Sequence, residues 1–89
     1  MKIVVNSCYG GFHVPQGFLA LHPDADEWDI PRTDPDLIEY CESHPDELKF
    51  HCTDLRVIEF PDTATDWYVN EYDGAEDLIY VLDGKLEWA

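Results

Sequence analysis

The chain has 89 residues and sets 20 Asp and Glu against five Lys and Arg, for a formal net charge of −15. With 45% hydrophobic and 13% aromatic residues it reads as a folded domain, and the length allows a single domain, residues 1–89, around one core. Five cations cannot build the broad basic patch that phosphate neutralisation demands, which rules out direct nucleic-acid binding, and no apolar run approaches the length of a membrane span.

The opening Lys2 to Ser7 (K-I-V-V-N-S) reads as a β-strand, being β-branched, short and stopped by polar residues. Its apolar run ends after three residues, too soon for an export signal. Gly10-Gly11 then opens a loop, and Pro15 starts a short helix over Gln16–Leu21, which Gly17 weakens. His22 to Arg32 is a surface connection rich in Pro, Asp and Glu, with Trp28 and Ile30 expected to pin it to the body. The clearest helix runs from Pro35 to His44: Asp34 is a good N-cap, Pro35 suits the first position, and Leu37, Ile38, Cys41 and His44 form an apolar stripe. Pro45 ends it, and Pro45–Leu48 adds a further turn. Strands follow at Leu55–Phe60, Trp67–Tyr72, Leu78–Leu82 and Lys85–Trp88, the last two joined by Asp83-Gly84, a pair suited to a type I′ turn. This order predicts an α+β domain with a largely antiparallel sheet of four or five strands and one or two helices on one face.

The segment M-K-I-V-V-N-S-C-Y-G-G-F resembles the opening of a family of small, functionally uncharacterised proteins of tailed phages and prophages. The likeness continues at Ile30–Ile38 (I-P-R-T-D-P-D-L-I), at Leu55–Asp62 (L-R-V-I-E-F-P-D) and at Trp67–Gly74 (W-Y-V-N-E-Y-D-G), in the expected order. The chain departs from the family pattern after Phe12, where a Ser-led helix start is missing, and between His44 and Thr53, where a glycine is missing. The resemblance implies a phage accessory protein and carries no established activity.

Three cysteines, Cys8, Cys41 and Cys52, an odd number without an export signal, point to reduced thiols and a cytoplasmic setting, with a virion as the alternative. A zinc site from Cys41, His44, His51 and Cys52 is disfavoured because neighbours at 51 and 52 point to opposite sides of a strand. Asp24-x-Asp26-Glu27-x-Asp29 fails the EF-hand pattern, with Asp29 where Gly is needed and Pro35 where Glu is needed. Cys8 before two glycines invites a nucleophile reading with His13 as base, but so acidic a chain does not favour a thiolate. Those glycines also lack the Lys-Ser/Thr that completes a phosphate loop. The expectation is a binding protein, not an enzyme, with no catalytic residue, metal or cofactor.

The candidate binding residues are Cys8, Tyr9, Gly10, Gly11 and Phe12, then Arg32, Asp34 and Asp36, then Glu71, Tyr72, Asp73 and Gly74. Each group sits in a turn or at an element end, where binding groups concentrate. The three are expected to meet in space, with Arg32 pairing a carboxylate such as Asp34, Asp73 or Glu71. The partner expected is a basic protein surface of host or phage, engaged by an inhibitor of host defence or by a DNA mimic. Alternatives are a virion decoration protein, a homo-oligomer, and a small-molecule binder whose acidity is a high-salt adaptation. An exposed tryptophan among Trp28, Trp67 and Trp88 would mark an interface anchor.

Overall fold

The uninterrupted apolar run Ile3-Val4-Val5 belongs to a strand covered on both faces. In the computed structural model, which describes residues 1–89, this strand, β1 (Lys2–Asn6), pairs antiparallel with β3 (Thr53–Glu59), which also holds the two-residue β2 (Lys49–Phe50). Val4 turns to one side, where it meets Val14, Phe18, Leu37, Tyr40, Cys41 and Leu55 under the helices α1 (Gln16–Leu21) and α2 (Pro35–Ser43). Ile3 and Val5 turn to the other side and pack with Phe60 and Leu78. That second core is roofed by a separate antiparallel meander of β4 (Asp66–Tyr72), β5 (Ala75–Leu82) and β6 (Lys85–Trp88). The α+β class therefore holds, but the expected sheet of four or five strands is two three-stranded sheets packed face to face. Pro61 cannot continue the ladder of β3, and the residues after it carry the chain from one sheet to the other.

The helices form where the local chemistry places them. Asp34 Oδ1 accepts from the amides of Asp36 (2.9 Å) and Leu37 (3.0 Å), closing the start of α2. The apolar stripe of α2 includes Tyr40, which is buried beside Leu37 and Cys41. Each helix ends on a histidine stacked back on an aromatic ring one turn earlier. His22 lies on Phe18 with centroids 4.5 Å apart, and His44 lies on Tyr40 at 4.0 Å. Pro45–Glu47 then forms a single 3₁₀ turn.

Three two-residue turns close the hairpins, all with positive φ. Asp73-Gly74 and Asp83-Gly84 carry the expected residues, at φ 51° and 89°, and 53° and 78°. The third, His51-Cys52 at φ 46° and 63°, has no glycine to relieve the left-handed backbone. It is invisible to a search for Asn-Gly or Asp-Gly, and β2 and the early start of β3 go unpredicted with it. β5 likewise begins at Ala75 and not Leu78, because the strand-averse Glu76 is held there by its partners. Trp28 does not pin the surface connection: it is exposed, and Ile30 alone of the two packs on the core.

Gly17 is required by proximity. A methyl group at position 17 would overlap the Tyr40 hydroxyl and reach 2.7 Å from Glu47 Oε1, to which that hydroxyl donates at 2.6 Å. Although alanine is the better helix former by about 1 kcal/mol, Gly17→Ala is expected to cost about 1–3 kcal/mol by overpacking, with part recovered by adding Tyr40→Phe. Denaturant unfolding checks this, and a variant as stable as the parent would refute the contact.

The same layer sets an alkaline limit. The hydrogen bond to Glu47 holds the Tyr40 hydroxyl up to about 12, and burial pushes the Cys41 thiol from 9.0 up to about 11. Both folded-state values lie above the unfolded ones, so their contribution is complete below the unfolded values and is lost as pH rises through the folded ones. Stability is expected to decline between about pH 9 and 12, with Tyr40→Phe removing the upper part of the slope. In the folded chain at neutral pH, Cys41 should resist a thiol reagent that labels the exposed Cys52 at once.

Candidate functional site

The apolar strand β1 ends in an asparagine that is fully buried, and its five hydrogen bonds explain why. Asn6 Nδ2 donates to the carbonyls of Cys8 (2.6 Å) and Gly74 (2.9 Å), and its Oδ1 accepts from the amides of Cys8 (3.1 Å) and Asp54 (2.9 Å). Its own amide donates to Glu76 Oε1 at 2.8 Å. Asn6 thus joins the Cys8–Phe12 loop, the start of β3 and the β4–β5 turn. Beside it, Arg32 grips Glu76 with both guanidinium ends, Nη1 to Oε1 at 2.5 Å and Nη2 to Oε2 at 2.8 Å. The guanidinium carbon also sits 3.5 Å over the Phe12 ring, and the Arg32 carbonyl accepts from the Val4 amide at 2.9 Å.

The loop itself is fastened by backbone contacts that need glycine. The Gly10 amide donates to the Cys52 carbonyl at 2.9 Å, leaving no room there for a side chain, and the Gly11 carbonyl accepts from Thr53 Oγ1 at 2.9 Å. Gly74, at φ 89°, lies against the Tyr9 carbonyl and the Gly11 amide. Tyr9 is exposed on top of this loop, and its hydroxyl titrates above the usual range, chiefly through the charge of Cys52, with a hydrogen bond to Cys52 and the charge of Cys8 adding to it.

The three candidate segments therefore do meet: Gly11, Phe12, Arg32, Glu71 and Gly74 line one open hollow of about 490 Å³ with Val69 and Glu76. Arg32 does pair a carboxylate, but not one of the three named. The partner is Glu76, not Asp34, Asp73 or Glu71, because Asp34 caps α2, Asp73 occupies the left-handed turn, and Glu71 Oε1 accepts from the Gly74 amide at 2.7 Å. Asp34 and Asp36 stay outside this junction, on the rim of another hollow. Tyr72 points to solvent. Asn6 and Glu76 were missed; a polar residue ending an apolar strand was the only signal for Asn6, and Glu76 gave none among so many acids.

Arg32, Glu71 and Glu76 are already engaged inside the protein, so this junction is a brace between the two sheets. His13 also has partners within the protein, with Nδ1 3.4 Å from Glu27 Oε1 and its ring edge-on to Trp28. No family model, curated protein or solved structure matches the chain.

Two further surfaces lie open to solvent. One is a hollow of about 450 Å³ floored by Phe18 and Ile30 and rimmed by Asp24, Asp26, Asp29, Asp34 and Asp36. The other is the outer face of the β4–β5–β6 meander, where Tyr68, Leu86 and Trp88 are exposed. No helix is long and apolar enough to cross a membrane.

Removing one member of a buried charge pair leaves the other uncompensated, so Arg32→Ala is expected to cost about 3 kcal/mol. Adding Glu76→Gln keeps an acceptor for the Asn6 amide while removing the stranded charge, and should recover part of the loss. Urea unfolding of both variants checks this: equal losses would show that the charge is not the source of the cost.

Proposed function

We propose that the chain is a binding protein without catalytic turnover, and that its partner is a basic protein surface. The observation that carries this reading is the coincidence of exposed aromatic rings with uncompensated carboxylates. Tyr9, Trp28, Tyr72 and Trp88 are 63–79% exposed, whereas only three of the 20 side-chain carboxylates, Glu42, Asp62 and Glu76, make an ion pair with a lysine, an arginine or the N-terminus, and a fourth, Glu27, faces His13. Aromatic side chains are the commonest anchors of protein interfaces, and surplus carboxylates accelerate encounter with a partner of opposite charge. The resemblance to phage and prophage accessory proteins supports a host protein in that role. A cytoplasmic site of action fits the unpaired thiols.

The distribution of the acids favours a second reading alongside it. They occur on α2, the 3₁₀ turn and β3 to β6 alike, as a surface kept hydrated in high salt would require, and are not drawn up on one element in imitation of a phosphate row. Salt separates the two. For a binding protein, the immobilised chain should retain a basic host protein at about 0.1 M salt and release it near 1 M, as the Debye length falls from about 10 Å to about 3 Å, with little change in melting temperature. A melting temperature that climbs by many degrees over the same range, with no basic protein retained, would overturn the binding reading in favour of high-salt adaptation.

A further inference from the structure

We infer that the outer face of the β4–β5–β6 meander is the docking surface, and that its occupant is a basic protein segment presenting apolar side chains between lysines or arginines. This rests on the binding reading above and adds the location and the chemistry of the contact.

Strand alternation sends Trp67, Val69, Leu78 and Tyr80 inward, where they pack on the second core, and leaves Tyr68, Ile79, Val81, Leu86 and Trp88 on the opposite face. The register aligns these residues into one patch. Ile79 lies between Tyr68 on β4 and Trp88 on β6, and Val81 lies opposite Leu86. Ile79 is only 4% exposed, yet it belongs to neither core cluster. Its cover comes from its neighbours on the outer face, which are themselves open to solvent: Tyr68 46%, Leu86 61% and Trp88 63%. A contiguous patch with a tryptophan at its edge, uncovered by the chain's own elements, has the make-up of an interface centre.

Charge selects the occupant. Asp66, opposite Val81, and Asp77, opposite Asn70, stand on the same face, while Lys85, paired with Leu82, alternates to the other. The face therefore carries carboxylates and no cation. A second copy would set like charges against each other between two chains each at −15, whereas a basic segment would satisfy both the patch and its acids.

The test uses the full chain, isotope-labelled for NMR, with three probes: a peptide of alternating leucine and lysine, its leucine–glutamate counterpart, and polylysine. The leucine–lysine peptide should move the resonances of β4 to β6, including the Trp88 indole, and the glutamate peptide should not bind. Trp88→Ser and Leu86→Ser should each weaken binding about tenfold, as loss of an anchor does, while Leu21→Ser, an exposed apolar change on α1, leaves it within about twofold. Circular dichroism confirms the fold of each variant, and Leu86→Ser carries the test where Trp88→Ser unfolds. Perturbations on the helical side, or face variants that bind undiminished, would overturn the docking face and leave the basic-partner reading standing. If neither the leucine–lysine peptide nor polylysine bound at low salt, the basic-partner reading itself would fall. Equal binding of the glutamate peptide would refute charge selection. A sedimenting dimer abolished by Leu86→Ser would reassign the face to self-association.

Discussion

The contact on which the arrangement depends is the grip of Arg32 on Glu76, with Asn6 behind it. Arg32 comes from the connection before α2, Glu76 from β5, and Asn6 from the end of β1, so three distant stretches are fixed relative to one another at a single point. Burying a carboxylate is costly unless charge and hydrogen bonds compensate it. Here both Glu76 oxygens receive a guanidinium N–H, and one also takes the Asn6 amide. The hydrophobic contact between the sheets is non-directional; it favours their packing but leaves their relative placement loose. The ion pair and the asparagine supply the directional part. They also explain Gly74, which is pressed against the Tyr9 carbonyl and the Gly11 amide where the two sheets are drawn together, while Gly10 lies against Cys52 in the β2–β3 turn of the first sheet.

Around that point a short chain obtains two cores from one strand. Ile3, Val4 and Val5 are almost completely buried, serving the helical layer and the meander alternately. Full burial of each such side chain contributes about 1.5–3 kcal/mol, a large share for a domain of this size. The single-sheet expectation failed for the same reason. An apolar triplet reads alike for a strand buried on both faces and for a central strand of one larger sheet, and only the tertiary contacts tell them apart.

What was legible in the residues was local chemistry. Asp34-Pro35 announced a helix start, Pro45 its end, and Asp83-Gly84 a tight turn, because in each case a backbone requirement leaves few residue choices. The meeting of the CYGGF loop, Arg32 and the EYDG turn was legible too, through chain order and likeness to a family pattern. The ion pair was not: one arginine among 20 carboxylates has too many conceivable partners, and the one it takes lies in a strand where glutamate is disfavoured. The turn at His51-Cys52 was hidden because its residues contradict the usual rule, and the exposure of Trp28 because large aromatics are ordinarily assigned to a core.

The acidity and the open apolar face belong to one physical problem. A patch of tyrosine, leucine and tryptophan on a sheet with two free edges is an aggregation hazard in an uncharged protein. A charge of −15 removes that hazard by keeping copies apart at a distance set by the ionic strength, without covering the patch. The repulsion acts on every molecule of like charge and on none of opposite charge. On the proposed reading, the carboxylates that repel a second copy would leave the docking face accessible to a basic partner, so resistance to self-association and selectivity would have one origin. The acids on the helical side would act on the partner without touching it only at low ionic strength. At about 0.01 M salt the Debye length is about 30 Å, comparable with a molecule 41 × 26 × 22 Å in extent, whereas at about 0.1 M it is about 10 Å and the acids near the face dominate. On the proposed reading the meander would supply the contact, and the surrounding acids the discrimination.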